Sequence, residues 1–205
     1  HERLVGSEMC IRDRDSTSSS MAGLMYDGLV TTNPRTGEVE PLLAKSFTVD
    51  GNDYLIHLRR GIQWTDGKQI TADDVMYTYN EVVFRGLGNP SVMDAMKVDG
   101  KLPELEKIDD YTVKFTTPRP FAPFLRLLSY PIVPKHYFKP YSDRGESVFN
   151  AFLSPNTPPE EIVSSGAFKL KEYVAAQRVV FVRNPNYYNC LLYTSDAADD
   201  RISVD

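Results

Sequence analysis

Few residues in this chain are of a type that does chemistry, and their spacing does not gather them. The histidines stand at 1, 57 and 136 and the cysteines at 10 and 190. A metal site needs ligands that converge at short, recurring separations, and these do not. His57 falls within a strand pattern and His136 follows Pro134-Lys135. Both read as ordinary surface or hydrogen-bonded histidines. Asp73 and Asp74 form a carboxylate pair, but they directly follow Thr71-Ala72. Acidic residues are favoured there by the dipole of a starting helix, with no chemistry required. Trp64, beside Asp66-Gly67, could line a pocket; a packed aromatic next to a turn is the better account. There is no glycine-rich phosphate loop, nucleophile elbow or Cys/His couple.

The elements around these residues follow from periodicity. Met21 to Val30 is apolar enough for a buried helical turn and a strand, and Asn33-Pro34-Arg35-Thr36-Gly37 is a turn. Pro41 to Ser46 should pack against a sheet. Phe47–Val49 and Tyr54–Leu58 flank Asp50-Gly51-Asn52-Asp53 and predict a hairpin. Tyr54, Ile56 and Leu58 share one face and Leu55 and His57 the other. Thr71 is a helix N-cap. Val75, Tyr79, Val82 and Val83 make one face of the helix that follows, and Arg85-Gly86 ends it. Leu105–Ile108 and Tyr111–Phe115 predict a second hairpin, with Tyr111, Val113 and Phe115 on one face. A short helix spans Phe124 to Leu128, and Pro131 and Pro134 frame a loop. Residues 139–161 read as an irregular connection. Phe168–Tyr173 and Arg178–Arg183 form a third antiparallel pair, stopped by Asn184-Pro185-Asn186. Strands, helix, strands, short helix, strands is an α+β order rather than an alternating βαβ one.

Composition narrows the class. The chain is 41% hydrophobic and 25% charged with net charge −5, globular values that argue against nucleic acid as a partner. No apolar run approaches the roughly 18 residues of a membrane span. Both ends look foreign. Leu4-Val5-Gly6-Ser7-Glu8-Met9-Cys10-Ile11-Arg12-Asp13-Arg14 resembles a translated sequencing adapter. Cys190-Leu191-Leu192-Tyr193-Thr194-Ser195-Asp196-Ala197-Ala198-Asp199-Asp200 resembles its reverse complement. Residues 1–14 and 190–205 are therefore set apart as non-native, the alternative being two native tails. Residues 15–189 keep 19 basic and 21 acidic residues, net −2, and no cysteine. A disulfide between the two cysteines is not expected, and a cysteine-free stretch does not report its redox compartment.

Tyr54-Leu-Ile-His-Leu-Arg-Arg-Gly-Ile-Gln-Trp-Thr-Asp-Gly67, followed by Ile70-Thr71-Ala72-Asp73-Asp74-Val75, closely resembles the family 5 extracellular solute-binding proteins. These are the peptide, dipeptide and nickel receptors of ABC importers. Leu24-Met25-Tyr26-Asp27-Gly28-Leu29-Val30, Ile108 to Phe115, Phe121-Ala-Pro-Phe124, Ile132-Val-Pro-Lys-His136, Val163 to Leu170 and Arg183-Asn-Pro-Asn-Tyr187 resemble further elements of the family. The resemblance covers 16–188. One departure is Ser164-Ser165-Gly166-Ala167-Phe168, where the family usually has a Gly-Thr-Gly-Pro-Tyr-like run. It leaves the local turn geometry open.

The resemblance implies a periplasmic-binding-protein-like, type II, two-lobe fold of which only the N-terminal part is present. It implies a monomeric, non-enzymatic receptor without cofactor or metal. Such a receptor captures a peptide or similar small solute by lobe closure and hands it to an ABC permease. Its place would be the periplasm or the extracellular face of the membrane. A receptor for a metal chelate or sugar is one alternative, a secreted hydrolase another. The residues that read ligand charge lie mostly in the second lobe of such proteins. The first lobe supplies backbone pairing to an extended ligand and a few side chains. Positions matching that contribution are Ser16, Thr17 and Ser18, Ser91 and Met93 in a loop, Tyr130 beside Ser129, and the Gly166 turn. A flexible linker accounts equally well for Ser16–Ser18, and for Tyr130 a core or rim aromatic is the better account.

Overall fold

The computed structural model describes residues 22–87, 90–145, 157–174, 178–189 and 201–204. Its strands are all antiparallel and fall into three sheets. A helical turn over 22–25 leads into β1 (Val30–Thr32), which pairs with β2 (Val39–Pro41) across the Asn33–Gly37 turn. The second sheet has the order β3-β4-β6-β5, from β3 (Ala44–Asp50), β4 (Asp53–Leu58), β5 (Glu104–Asp109) and β6 (Thr112–Thr116). The third comprises β7 (Phe168–Val174), β8 (Arg178–Arg183) and β9 (Arg201–Val204).

The β3–β4 hairpin forms where the sequence places it. Gly51, at φ 60°, takes the first position of the turn between paired Asp50 and Asp53, where a left-handed backbone suits the strand twist. In β4, Tyr54, Ile56 and Leu58 are buried, and Leu55 and His57 are only half-buried. Tyr111 departs from expectation. It lies in the β5–β6 turn, half-buried against the core, and its Thr112 neighbour begins the strand.

The first helix, α1 (Ala72–Tyr77), begins with a reciprocal cap. The Thr71 hydroxyl accepts from Asp73 N–H at 3.3 Å, and Asp74 Oδ2 accepts from Thr71 N–H at 3.1 Å. The helix widens into a π-helical stretch over Thr78–Val83, which no sequence pattern signals. It closes at Gly86, φ 69°. Val75, Tyr79, Val82 and Val83 are all within 1% of complete burial. They face a core in which the rings of Tyr79 and Phe115 stand 4.9 Å apart and those of Tyr54 and Phe124 4.8 Å apart.

Among the described residues three further α-helices follow, α2 (Pro90–Met96), α3 (Phe124–Leu127) and α4 (Lys135–Ser142), with a 3-10 turn over Pro159–Glu161. Two of them correct the sequence reading. Ser91 and Met93 lie on α2 rather than in a loop, and α4 occupies the start of the stretch read as irregular. Proline at the first turn of α2 tolerates the helix, and Met96 is fully buried at its end. α4 forms despite Pro140 because Phe138 is fully buried against Tyr26, 6.2 Å between rings, and the Tyr77 hydroxyl donates to Ser142 Oγ at 2.8 Å. Tertiary contact outweighs local propensity here.

Candidate functional site

The Met25–Leu29 segment is where distant parts of the chain meet. The carbonyl of Met25 accepts from both Ser165 N–H, 3.0 Å, and Gly166 N–H, 2.8 Å. The carbonyl of Asp27 accepts from Ile132 N–H at 2.9 Å, and the Leu29 amide donates to Leu128 O at 3.0 Å. The Tyr26 hydroxyl donates to Val163 O at 2.8 Å. Two glycines make these approaches possible. A Cβ on Gly28 would lie 2.4 Å from the carbonyl oxygen of Ser129, and one on Gly166 would lie 2.5 Å from that of Leu24. Both contacts are with backbone, which has no side-chain torsion to relieve them.

Of the residues singled out from sequence, the structure brings the Gly166 turn onto this one segment, and it brings the backbone of Ser129, the neighbour of Tyr130, against Gly28. Tyr130 follows Ser129 directly and packs half-buried against the core. Ser91 and Met93 are elsewhere, on α2, which packs against α3 and the end of the π-helical stretch. Met93 Sδ reaches within 3.7 Å of where a Cβ on Gly86 would sit. Ser16, Thr17 and Ser18 lie outside the described residues.

Asp27 is the residue at this junction that the sequence reading passed over. It is 7% exposed, and Tyr188 donates to its Oδ2 at 2.8 Å. Burial pushes its carboxyl up to about 6, against the lowering effect of hydrogen bonds from Tyr188 and Tyr187. Burial, with the Asp27 charge next to it, likewise drives the Tyr188 hydroxyl upward. A buried, perturbed carboxylate at a meeting of segments is a candidate functional group. The signal available in sequence was an acidic residue inside the apolar run Leu24–Val30. The serine turn adds a second unusual group. Ser164 Oγ is buried and has no hydrogen-bond partner among the described residues. Such a hydroxyl carries a desolvation cost of about 1–3 kcal/mol that a partner would relieve.

The other chemistry-bearing residues are structural in their geometry. Asp74 Oδ1 accepts from Lys135 N–H at 2.9 Å, and its Oδ2 from Thr71 N–H and, at 3.4 Å, from Trp64 Nε1. Trp64 is buried. His57 Nδ1 is 3.3 Å from Thr112 Oγ1, and His136 Nε2 is 2.7 Å from Asp66 Oδ2. Among the described residues no group of three or more His, Cys, Asp and Glu is placed to hold a metal ion. Nor is any helix among them long and apolar enough to cross a membrane.

A family model described as bacterial extracellular solute-binding proteins, family 5 Middle, matches residues 38–204. The di/tripeptide-binding protein 4 of Pseudomonas aeruginosa is 30% identical over 187 residues, covering 84% of this chain and 34% of that protein. The periplasmic oligopeptide-binding protein OppA of Escherichia coli is 28% identical over 189 residues, with 83% and 32% covered. Among solved structures, a periplasmic oligopeptide-binding protein of Borrelia burgdorferi superposes with TM-score 0.68 at 27% identity, covering 96% of this chain and 39% of that one. The chain spans about a third of the length of the curated relatives it matches.

Proposed function

The chain belongs to the bacterial extracellular solute-binding proteins, family 5, and on that premise we propose that it is the N-terminal part of a receptor that captures peptides for an ABC importer. The observation that carries this reading is the junction on Met25–Leu29. There the Gly166 turn is fixed by backbone hydrogen bonds to Met25, the Ser129 backbone packs on Gly28, and the Tyr188 hydroxyl bonds the Asp27 side chain. The turn is buried and its amides are paired within the chain, so it serves as a rigid support. The exposed edge at Ser129 is the part suited to backbone pairing with an extended ligand, which gives affinity without reading side chains. Ser129 is exposed and Tyr130 half-buried beside it. Closure of a second lobe over such a ligand completes the site, because a ligand favours the state in which it touches both lobes.

On this reading the receptor works at the periplasmic or extracellular face, delivers its load to a membrane permease, and turns nothing over. The test uses the complete protein that carries this segment. Peptides of two to five residues should raise its melting temperature in proportion to the logarithm of their concentration. Sugars and metal chelates serve as the competing ligands. A shift with those and none with peptides overturns the peptide assignment. Hydrolysis of the added peptide overturns the receptor assignment altogether.

A further inference from the structure

The Ser164–Gly166 turn is held on one side by Met25. On the other side it is held by a second turn, Thr65–Lys68. The Thr65 amide donates to Ser164 O at 2.9 Å, and the Ser164 amide donates to Thr65 Oγ1 at 3.0 Å. Thr65 thus grips both backbone groups of Ser164 across 99 positions of sequence. The Thr65–Lys68 turn is itself exposed and closed by Gly67 at φ 86°. Its ends close on buried Trp64, whose N–H donates to Lys68 O at 2.8 Å and whose carbonyl accepts from Gly67 N–H at 2.9 Å. Its outer side is tied by Asp66, whose Oδ2 meets His136 Nε2 at 2.7 Å. His136 in turn sits in the first turn of α4, next to Lys135, whose amide is anchored on the buried Asp74.

From this chain of contacts we infer that His136 is a positioning residue for the Ser164–Gly166 turn, acting through Asp66 and Thr65. The inference rests on reading that turn as part of the ligand site. An exposed ion pair would have little effect, but both side chains here are about three-quarters covered, at 27% and 28% exposure. Lys68 Nζ, at 3.8 Å from the same Asp66 oxygen, is too far and too exposed to replace the imidazole. The inner end of the turn is anchored on α1 through Trp64, whose indole donates to Asp74 Oδ2 at 3.4 Å, and the His136–Asp66 bond ties its outer side to α4. Without it, Thr65 is held only from the Trp64 side and by Ser164, the residue it is meant to hold. The groove along this path, about 430 Å³, is bordered by Asp66, Lys68, His136, Tyr137, Tyr141 and Arg144.

The experiment is amide hydrogen exchange and peptide titration on the complete protein. His136→Ala should speed exchange at the Thr65 and Ser164 amides by about three- to tenfold, the effect of losing one partly covered charge-assisted hydrogen bond. The amide of Ile56, in the core strand β4, should not change, which separates local loosening from global destabilisation. Peptide affinity should fall by a similar factor. His136→Gln, which keeps an N–H donor for Asp66, should recover most of both. On a Thr65→Val background, which removes the hydroxyl acceptor for Ser164, His136→Ala should add little further loss. Groups that act in series are non-additive. Unchanged exchange at Thr65 and Ser164, fully additive losses, or wild-type affinity despite faster exchange would each overturn the inference. A wild-type protein that binds no peptide sinks the ligand reading of the turn, and exchange at the two amides still decides whether His136 positions it.

Discussion

The hydroxyl of Tyr188 donates to the carboxylate of Asp27 at 2.8 Å, joining residues 161 positions apart in sequence. The bond offers the carboxylate partial compensation for burial, and its pKa still rises to about 6. A group whose folded pKa exceeds its unfolded value contributes stability that is complete below the unfolded pKa. That contribution is lost as pH rises through the folded one. Asp27 should therefore cost the protein about 2 kcal/mol on going from pH 4 to pH 8. Asp74, also raised by burial, tilts stability in the same direction. Asp27→Asn should be near wild type in stability at pH 4 and more stable than wild type at pH 8. Urea unfolding across that range checks it, and parallel pH profiles for the two proteins would refute it.

Gly28 and Gly166 are required by contact rather than by backbone angle, since neither has positive φ. A methyl at either site meets a carbonyl oxygen well inside contact distance. Overpacking against backbone costs about 1–3 kcal/mol or more. Gly28→Ala and Gly166→Ala should each lower the urea midpoint accordingly. Gly23→Ala, where a Cβ meets open space, should change it little. Equal effects at all three positions would show that the close approaches are not tight.

Much of this architecture was legible because side-chain periodicity and burial agree. Tyr54, Ile56 and Leu58 alternate and are buried, and Val75, Tyr79, Val82 and Val83 follow a helical face into the core. The Thr71 cap needed only local chemistry. α2 and α4 were not legible, because each carries a proline and each owes its helix to a few deep contacts, Met96 in one and Phe138 in the other. The candidate site was partly legible for a similar reason. Gly166 stood out by its motif, but its contact with Leu24 and Met25 is set by tertiary packing. Asp27 lay in a run already recognised, yet only burial distinguishes it from a surface aspartate.

Asp74 shows how one carboxylate can organise three segments. It caps α1, receives the Trp64 indole, and fixes the amide that starts α4. Asp74→Ala leaves these three donors without their acceptor and should cost about 3 kcal/mol or more. Thr71→Ala, which removes one capping hydroxyl, should cost about 1 kcal/mol. Denaturant unfolding of the two variants should keep that order. A loss below that of Thr71→Ala in Asp74→Ala would show that desolvation of the carboxylate cancels its hydrogen bonds.

Pro140 gives the last test, because it opposes the helix it sits in. It is exposed, within α4, and has no amide to offer the carbonyl of His136 one turn earlier. A proline inside a helix costs about 3 kcal/mol relative to alanine. It returns up to about 1 kcal/mol by restricting the unfolded chain. The helix survives because Phe138 is fully buried and Tyr77 bonds Ser142. Pro140→Ala should accordingly stabilise the protein by about 1–2 kcal/mol, whereas Phe138→Ala should destabilise it by about 3–5 kcal/mol. Thermal and urea unfolding measure both. Destabilisation by Pro140→Ala would mean that the ring's contacts along the groove matter more to α4 than the missing hydrogen bond.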